Sequence, residues 1–129
     1  MSAKPSRSRA YAFGLSSEGL ATFYLRVKGF TILERRVRGP KGSRRGEIDL
    51  IARRGRLLLF VEVKARQSLD EAALAITPRQ RQRIQATAET YIAKLNYQNP
   101  RPLSGRYDAV LVAPGRFGLP KLKHVPGAW

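Results

Sequence analysis

A chain of 129 residues with 43% hydrophobic content can build one compact domain with a real core and is too apolar to be disordered. Its 25 Lys and Arg against 9 Asp and Glu give a net charge of +16, spread along the chain, which marks a surface that attracts polyanions, nucleic acid foremost. The absence of cysteine excludes disulfides and thiolate-bound zinc, and one histidine, His124, cannot build a histidine metal site alone.

Residues 1–13 read as a flexible basic N-terminal arm and residues 14–129 as a single domain. Met1 to Ala10 lacks the apolar centre of a signal peptide, and no stretch approaches the roughly 18 apolar residues of a membrane span, so a cytoplasmic protein with no membrane partner is expected. A helix is expected from Ser16, a side chain suited to capping free amides, to Gly29, with apolar residues on more than one side. Phe30 to Val37 is strand-like, with Phe30, Ile32 and Glu34 on one face and Thr31 and Leu33 on the other. A glycine-rich basic loop, Arg38 to Arg45, leads to two further strands, Glu47 to Ala52 and Leu57 to Ala65, joined by a short turn around Arg54-Gly55. The unbroken apolar run Leu57 to Val61 suits a strand buried on both faces.

Arg66 to Ile76 reads as a connection of mixed character. Thr77-Pro78 then starts a helix whose Ile84, Ala88, Tyr91, Ile92 and Leu95 form one apolar stripe, and Asn99-Pro100 ends it. Tyr107 to Ala113 is a further strand and Leu119 to Val125 a weak last one. The order α-β-β-β-α-β(-β) defines an α/β fold with a mixed central sheet, in which a helix crosses back to a parallel strand.

The chemistry concentrates in the central hairpin. With Ala52 placed opposite Leu57, Asp49 faces Phe60 and Glu62 lies diagonal to it, so Asp49, Glu62 and Lys64 project to one side. An odd change in the turn would put Asp49 on the other face. Clustered carboxylates on an apolar sheet need a positive partner, which lysine or a divalent cation supplies. The same residues also read as a plain surface ion contact.

Gly46-Glu47-Ile48-Asp49-Leu50-Ile51-Ala52, Phe60-Val61-Glu62-Val63-Lys64-Ala65-Arg66 and Arg106-Tyr107-Asp108, with Gly14-x-x-x-Glu18 and Lys123-His124-Val125, resemble the YraN-like family of small uncharacterised bacterial proteins. That family in turn is similar to the PD-(D/E)XK nucleases, nearest to archaeal Holliday-junction resolvases. The resemblance implies a restriction-endonuclease-like αβββαβ core for residues 14–129, Mg²⁺ or Mn²⁺, and phosphodiester hydrolysis. It implies Asp49, Glu62 and Lys64 as catalytic residues and Glu18, Asp49 and Glu62 as metal ligands. Ile48 stands where the superfamily motif carries proline. Resolvase-like enzymes often pair so that two cuts are coordinated, which leaves a homodimer open.

Lys41, Arg44, Arg45, Arg79 and Arg83 are candidate nucleic-acid contacts, since backbone contacts position a strand without reading its sequence. Gln80 and Gln82 fall where a polar helix residue would near the site; Glu47 reads as an arginine partner, Asp108 as the partner of Arg106, and His124 as structural or exposed. The expected function is a metal-dependent endonuclease acting on DNA in preference to RNA, with branched DNA as a candidate substrate. The alternatives are a non-catalytic nucleic-acid-binding module on the same scaffold and a basic ribosome or protein-interaction factor.

Overall fold

Five strands, three α-helices and a short 3-10 turn make up residues 16–39 and 46–129, the part of the chain that the computed structural model describes. The arm at 1–13, Gly14, and the loop cations Lys41, Arg44 and Arg45 lie outside those residues. Helix α1 (Ser17–Val27) begins where Ser16 Oγ accepts the Gly19 N–H at 3.0 Å and stops before Gly29, whose φ of +94° suits glycine alone. Strands β1 (Thr31–Val37), β2 (Ile48–Arg54) and β3 (Leu57–Ala65) form an antiparallel meander.

Helices α2 (Leu69–Leu74) and α3 (Pro78–Asn96) carry the chain across to β4 (Ser104–Pro114), which runs parallel to β3. Strand β5 (Pro120–Val125) closes the sheet antiparallel to β4, giving the order β1-β2-β3-β4-β5. The fold is the expected α/β type with a mixed sheet flanked by helices, and it is compatible with a restriction-endonuclease-like core. No helix among the described residues is long and apolar enough to cross a membrane.

Both faces of the sheet are covered, which explains the unbroken apolar run of β3. Leu59 and Val61 pack with Leu50, Ala52, Ala21 and Leu25 under α1, while Leu58 and Phe60 pack with Ile51, Ile84 and Ala88 under α3. Ala109 and Leu111 of β4 meet Ala72 and Ile76. Leu95, read as part of the inner stripe of α3, is instead exposed at its margin.

Three further details differ from the sequence reading. Helix α2 occupies the stretch read as an irregular connection: Ser68 Oγ accepts the Glu71 N–H at 3.1 Å, the start of a capping box. In β1 the register with β2 shifts between Ile32 and Glu34, so the two do not share a face. Ile32 packs toward α1, whereas Glu34 reaches the Tyr91 hydroxyl on α3, whose pKa burial and then Glu34 push up to about 12. In the central hairpin Arg54 pairs with Leu57 around a two-residue Gly55-Arg56 loop, and Ile51, not Asp49, pairs with Phe60. The difference is two residues, and an even shift keeps every side chain on its face.

Candidate functional site

The β2–β3 ladder ends at the Leu50–Val61 pair, and beyond it a side chain takes over the role of backbone. Asp49 Oδ2 accepts the Val63 N–H at 2.8 Å, which fixes the carboxylate beside β3. The next residue on β3, Glu62, is 3% exposed and lies against Asp49. Glu62 Oε2 accepts a hydrogen bond from Gln80 Nε2 of α3 at 2.6 Å and lies 3.2 Å from Lys64 Nζ. Glu62 Oε1 is buried and meets no protein donor.

Two carboxyls in contact and partly screened from water cannot both ionise cheaply. Burial first, then the negative charge of Asp49 and the hydrogen bond to it, push the Glu62 pKa up to about 8, against the pull of Lys64. Burial likewise raises Asp49, with the charge of Glu18 adding to it, while the Val63 N–H, Glu62 and Lys64 act in the opposite direction. A proton retained on Glu62 relieves that repulsion at neutral pH.

These groups floor an open pocket of about 500 Å³. Lys64, Arg79 and Arg83 contribute positive charge to its lining, and Gln80 a neutral donor. Glu18 and Glu47 border it, but each is engaged by an arginine: Glu18 Oε1 lies 3.4 Å from Arg36 Nε, and Glu47 Oε1 lies 3.6 Å from Arg38 Nε. Among the described residues no three Asp, Glu or His side chains gather into a metal-holding group. The structure thus brings Asp49, Glu62 and Lys64 together and places Glu18 at the rim. Arg81, the third arginine of the α3 start, turns instead toward the Trp129 ring, 5.8 Å from its centroid.

Gly46 sets the spacing between β2 and α3. Its N–H donates to the Arg83 carbonyl at 2.9 Å, and its own carbonyl accepts from Thr87 Oγ1 at 2.7 Å. A Cβ here would stand 2.9 Å from Arg83 Cβ and 3.1 Å from the Ile84 nitrogen, so only glycine permits the approach. Gly46→Ala is expected to destabilise the protein by about 1–3 kcal/mol as α3 is pushed away. Thermal unfolding of that variant at the parent midpoint would show that α3 tolerates the added methyl group.

A second polar cluster lies under β4. Asp108, fully buried, accepts from Arg106 Nε at 2.8 Å, Arg106 Nη2 at 2.9 Å and the Gly127 N–H at 3.1 Å. Burial pushes its pKa up, but the bonds from Arg106, His124 and Gly127 outweigh that and hold it below the usual carboxylate value. The ionised carboxylate accepts, so His124 Nε2, at 2.7 Å, donates. His124 Nδ1 then faces the Tyr24 hydroxyl at 3.5 Å. Asp108 is therefore a structural anchor, in line with the Arg106 pairing read from the sequence. Its grip on His124 and the chain's last residues required the β4–β5 pairing to be seen.

The fold and this geometry define a class: a small α/β protein whose mixed sheet carries a buried and a half-buried carboxyl in contact, and a lysine, beside a basic helix start. The chain belongs to the uncharacterised protein family UPF0102, whose model matches residues 17–112. It is 47% identical to a UPF0102 protein of Paramagnetospirillum magneticum, over 99% of this chain and 96% of that protein. It is 48% identical to one from Rhodopseudomonas palustris (strain HaA2), over 97% of this chain and 90% of the relative. A UPF0102 protein of Bradyrhizobium sp. (strain ORS 278) is 49% identical over 87% of this chain and 75% of its own length.

Proposed function

We propose that the pocket is a divalent-metal-dependent phosphodiesterase site acting on DNA, with branched or otherwise irregular DNA as its substrate. The observation that carries this reading is Glu62: a buried carboxyl with one oxygen lacking any donor, pressed against Asp49 and paired with Lys64. The donors facing one another are all carboxylate oxygens, as a hard cation such as Mg²⁺ or Mn²⁺ prefers. Asp49 and Glu62 would hold the cation, and Glu18 would join them on leaving Arg36. When bound, such a cation supplies charge neutralisation for a phosphate oxygen and lowers the pKa of a water.

The remaining work falls to the chain's own side chains. Gln80 orients the Glu62 carboxyl by its hydrogen bond to Oε2. Lys64 Nζ, held at the same oxygen and 18% exposed, can donate to an attacking water or to a phosphate oxygen as negative charge builds on it. Arg79 and Arg83 at the pocket wall offer positive charge to the sugar-phosphate backbone. The resemblance to junction resolvases supports branched DNA over plain duplex.

Single-stranded, duplex and four-way-junction DNA incubated with Mn²⁺ tests the reading. The parent is expected to cut at least one of them; Glu62→Ala and Lys64→Ala are expected to lose cleavage by about 100-fold or more while still binding. Equal cleavage by parent and variants would withdraw the assignment. A second reading, a nucleic-acid-binding scaffold without turnover, is favoured by the Arg36 contact that engages Glu18. It expects salt-sensitive binding and no metal-dependent cleavage of any of the three substrates.

A further inference from the structure

The tip of the β4–β5 hairpin carries a residue that folding does not account for. Pro114 pairs with Pro120, and inside that pair the Leu119 N–H donates to the Arg116 carbonyl at 3.0 Å. The two central residues of this turn, Phe117 (φ 57°, ψ 30°) and Gly118 (φ 76°), are both left-handed, as in a type I′ turn. Glycine suits that conformation, and asparagine or aspartate tolerates it; a phenylalanine there is strained. Burial gives nothing back, because Phe117 is 95% exposed, with Leu119 beside it 54% exposed. A side chain at Gly115 would run into the Leu119 carbonyl, so the tip is closed tightly beneath the exposed ring.

The tip lies at the pocket end of the sheet. Glu62 and Lys64 of β3 pair in parallel with Ala109 and Leu111 of β4, and β4 continues past them into the tip. From Leu111 to Pro114 is roughly 10 Å at ordinary strand rise, one strand over from Lys64. The neighbouring cations are exposed: Arg66, whose N–H donates to the Val112 carbonyl, Arg116 at the turn, and Lys121 and Lys123 on β5. Lys121 and Lys123 alternate with Leu122, which packs toward α1, so they point to the sheet face that carries Glu62 and Lys64.

We infer that the β4–β5 tip is a nucleobase-contact element: Phe117 stacks on an unpaired base of a DNA strand whose phosphates are met by Arg116, Lys121 and Lys123. An aromatic ring raised on a tight turn among cations has the composition of a single-strand stacking platform, in which the ring takes a base and the charges follow the backbone. Charge complementarity favours nucleic acid over a protein partner, because the charged side chains between Pro114 and Lys123 are all basic on a chain of net charge +16. The inference rests on the nucleic-acid reading of the pocket and adds what that reading lacks, a preference for unpaired bases close to it.

The test is equilibrium binding, in EDTA so that cleavage is silent, of a labelled single strand of about 20 nucleotides and of its duplex. Phe117→Asn suits the turn, so its melting temperature is expected to equal or exceed the parent's, and any loss of binding is not unfolding. It is expected to weaken single-strand binding by about 5- to 100-fold, to leave duplex binding within about twofold, and to keep the salt slope. Phe117→Tyr is expected to restore the affinity, and Lys121→Ala to lower the salt slope by about one. Parent-like single-strand binding by Phe117→Asn overturns the inference and leaves the pocket reading standing. A parent that binds neither DNA also overturns the inference, while cleavage of the four-way junction with Mn²⁺ decides the pocket reading separately. Binding to anionic phospholipid vesicles that Phe117→Asn abolishes, with DNA binding unchanged, overturns it in favour of a membrane contact.

Discussion

Metal-free protein is expected to lose stability as pH rises from about 5 to about 9, and Glu62→Gln is expected to abolish that loss. The folded-state pKa of Glu62, about 8, lies above its ordinary 4.5, so between those values the folded chain holds a proton that the unfolded chain has released. The stabilising contribution is complete below the ordinary value and disappears as pH climbs through the folded one. Its size is on the order of 3–5 kcal/mol, shared with Asp49 because the two carboxyls titrate together. For a domain of this size that corresponds to a melting temperature lower by about 10–20 °C.

Glu62→Gln keeps the shape and the contact with Gln80 while removing the charge, so above pH 8 the variant should melt above the parent. Saturating Mn²⁺ should restore the parent's high-pH stability, by about 2.7 kcal/mol at a hundredfold excess over Kd, and leave the variant unmoved. Urea or thermal melts at several pH values, with Mn²⁺ or EDTA, read all of this. A flat pH profile in the parent would mean that Glu62 is ionised and hydrated, contrary to the buried geometry.

Asp108→Ala is expected to be the most destabilising change in the protein, costing about 3–5 kcal/mol. It deletes the acceptor for Arg106, His124 and the Gly127 N–H at once and leaves cationic and polar donors facing a cavity. Asp108→Asn should cost less, because one oxygen still accepts. Since the Asp108 pKa is held low, its contribution is present above the ordinary carboxylate value and is lost as pH falls through the folded one. Acid therefore weakens the clasp under β4 while alkali weakens the pocket.

The variant also has a local signature. Ala128 N–H donates to the Tyr107 carbonyl at 2.7 Å and Trp129 stacks on Tyr107 at 5.6 Å, so the closing segment depends on β4 for its place. Trp129 is the sole tryptophan, and its fluorescence should change at lower urea than the far-UV signal of the sheet in Asp108→Ala. Coincident transitions would show that the clasp is part of the global fold alone.

The residue pattern revealed most where the physics is local. The side-chain period of a strand is two, so any even turn places Asp49, Glu62 and Lys64 together, and a register misplaced by two residues did no harm. Thr77-Pro78 and Ser16 marked helix starts because capping is chemistry within one turn. Ser68 and Glu71 carried a signal of the same kind for α2, obscured by the mixed residues around it. Glu34 changed face because a bulge in β1 interrupts the alternation, and nothing in Ile32-Leu33-Glu34 announces it. Gln80 at the Glu62 oxygen, Gly46 against Arg83 and His124 on Asp108 each join elements far apart in sequence. They become visible only when the sheet is assembled.

The parallel pairing of β3 with β4 has a consequence for how the molecule is made. Strands β1, β2 and β3 form a local meander that can close early, but β3 waits for its other neighbour until the crossover from Ala65 to Ser104 has been traversed. During that interval the Leu57 to Val61 edge, the most apolar in the sheet, is open to any other chain. Aggregation during refolding should therefore rise steeply with protein concentration, and the carboxyl pair, carried wholly by β2 and β3, should be in place before the strand that leads to the tip arrives.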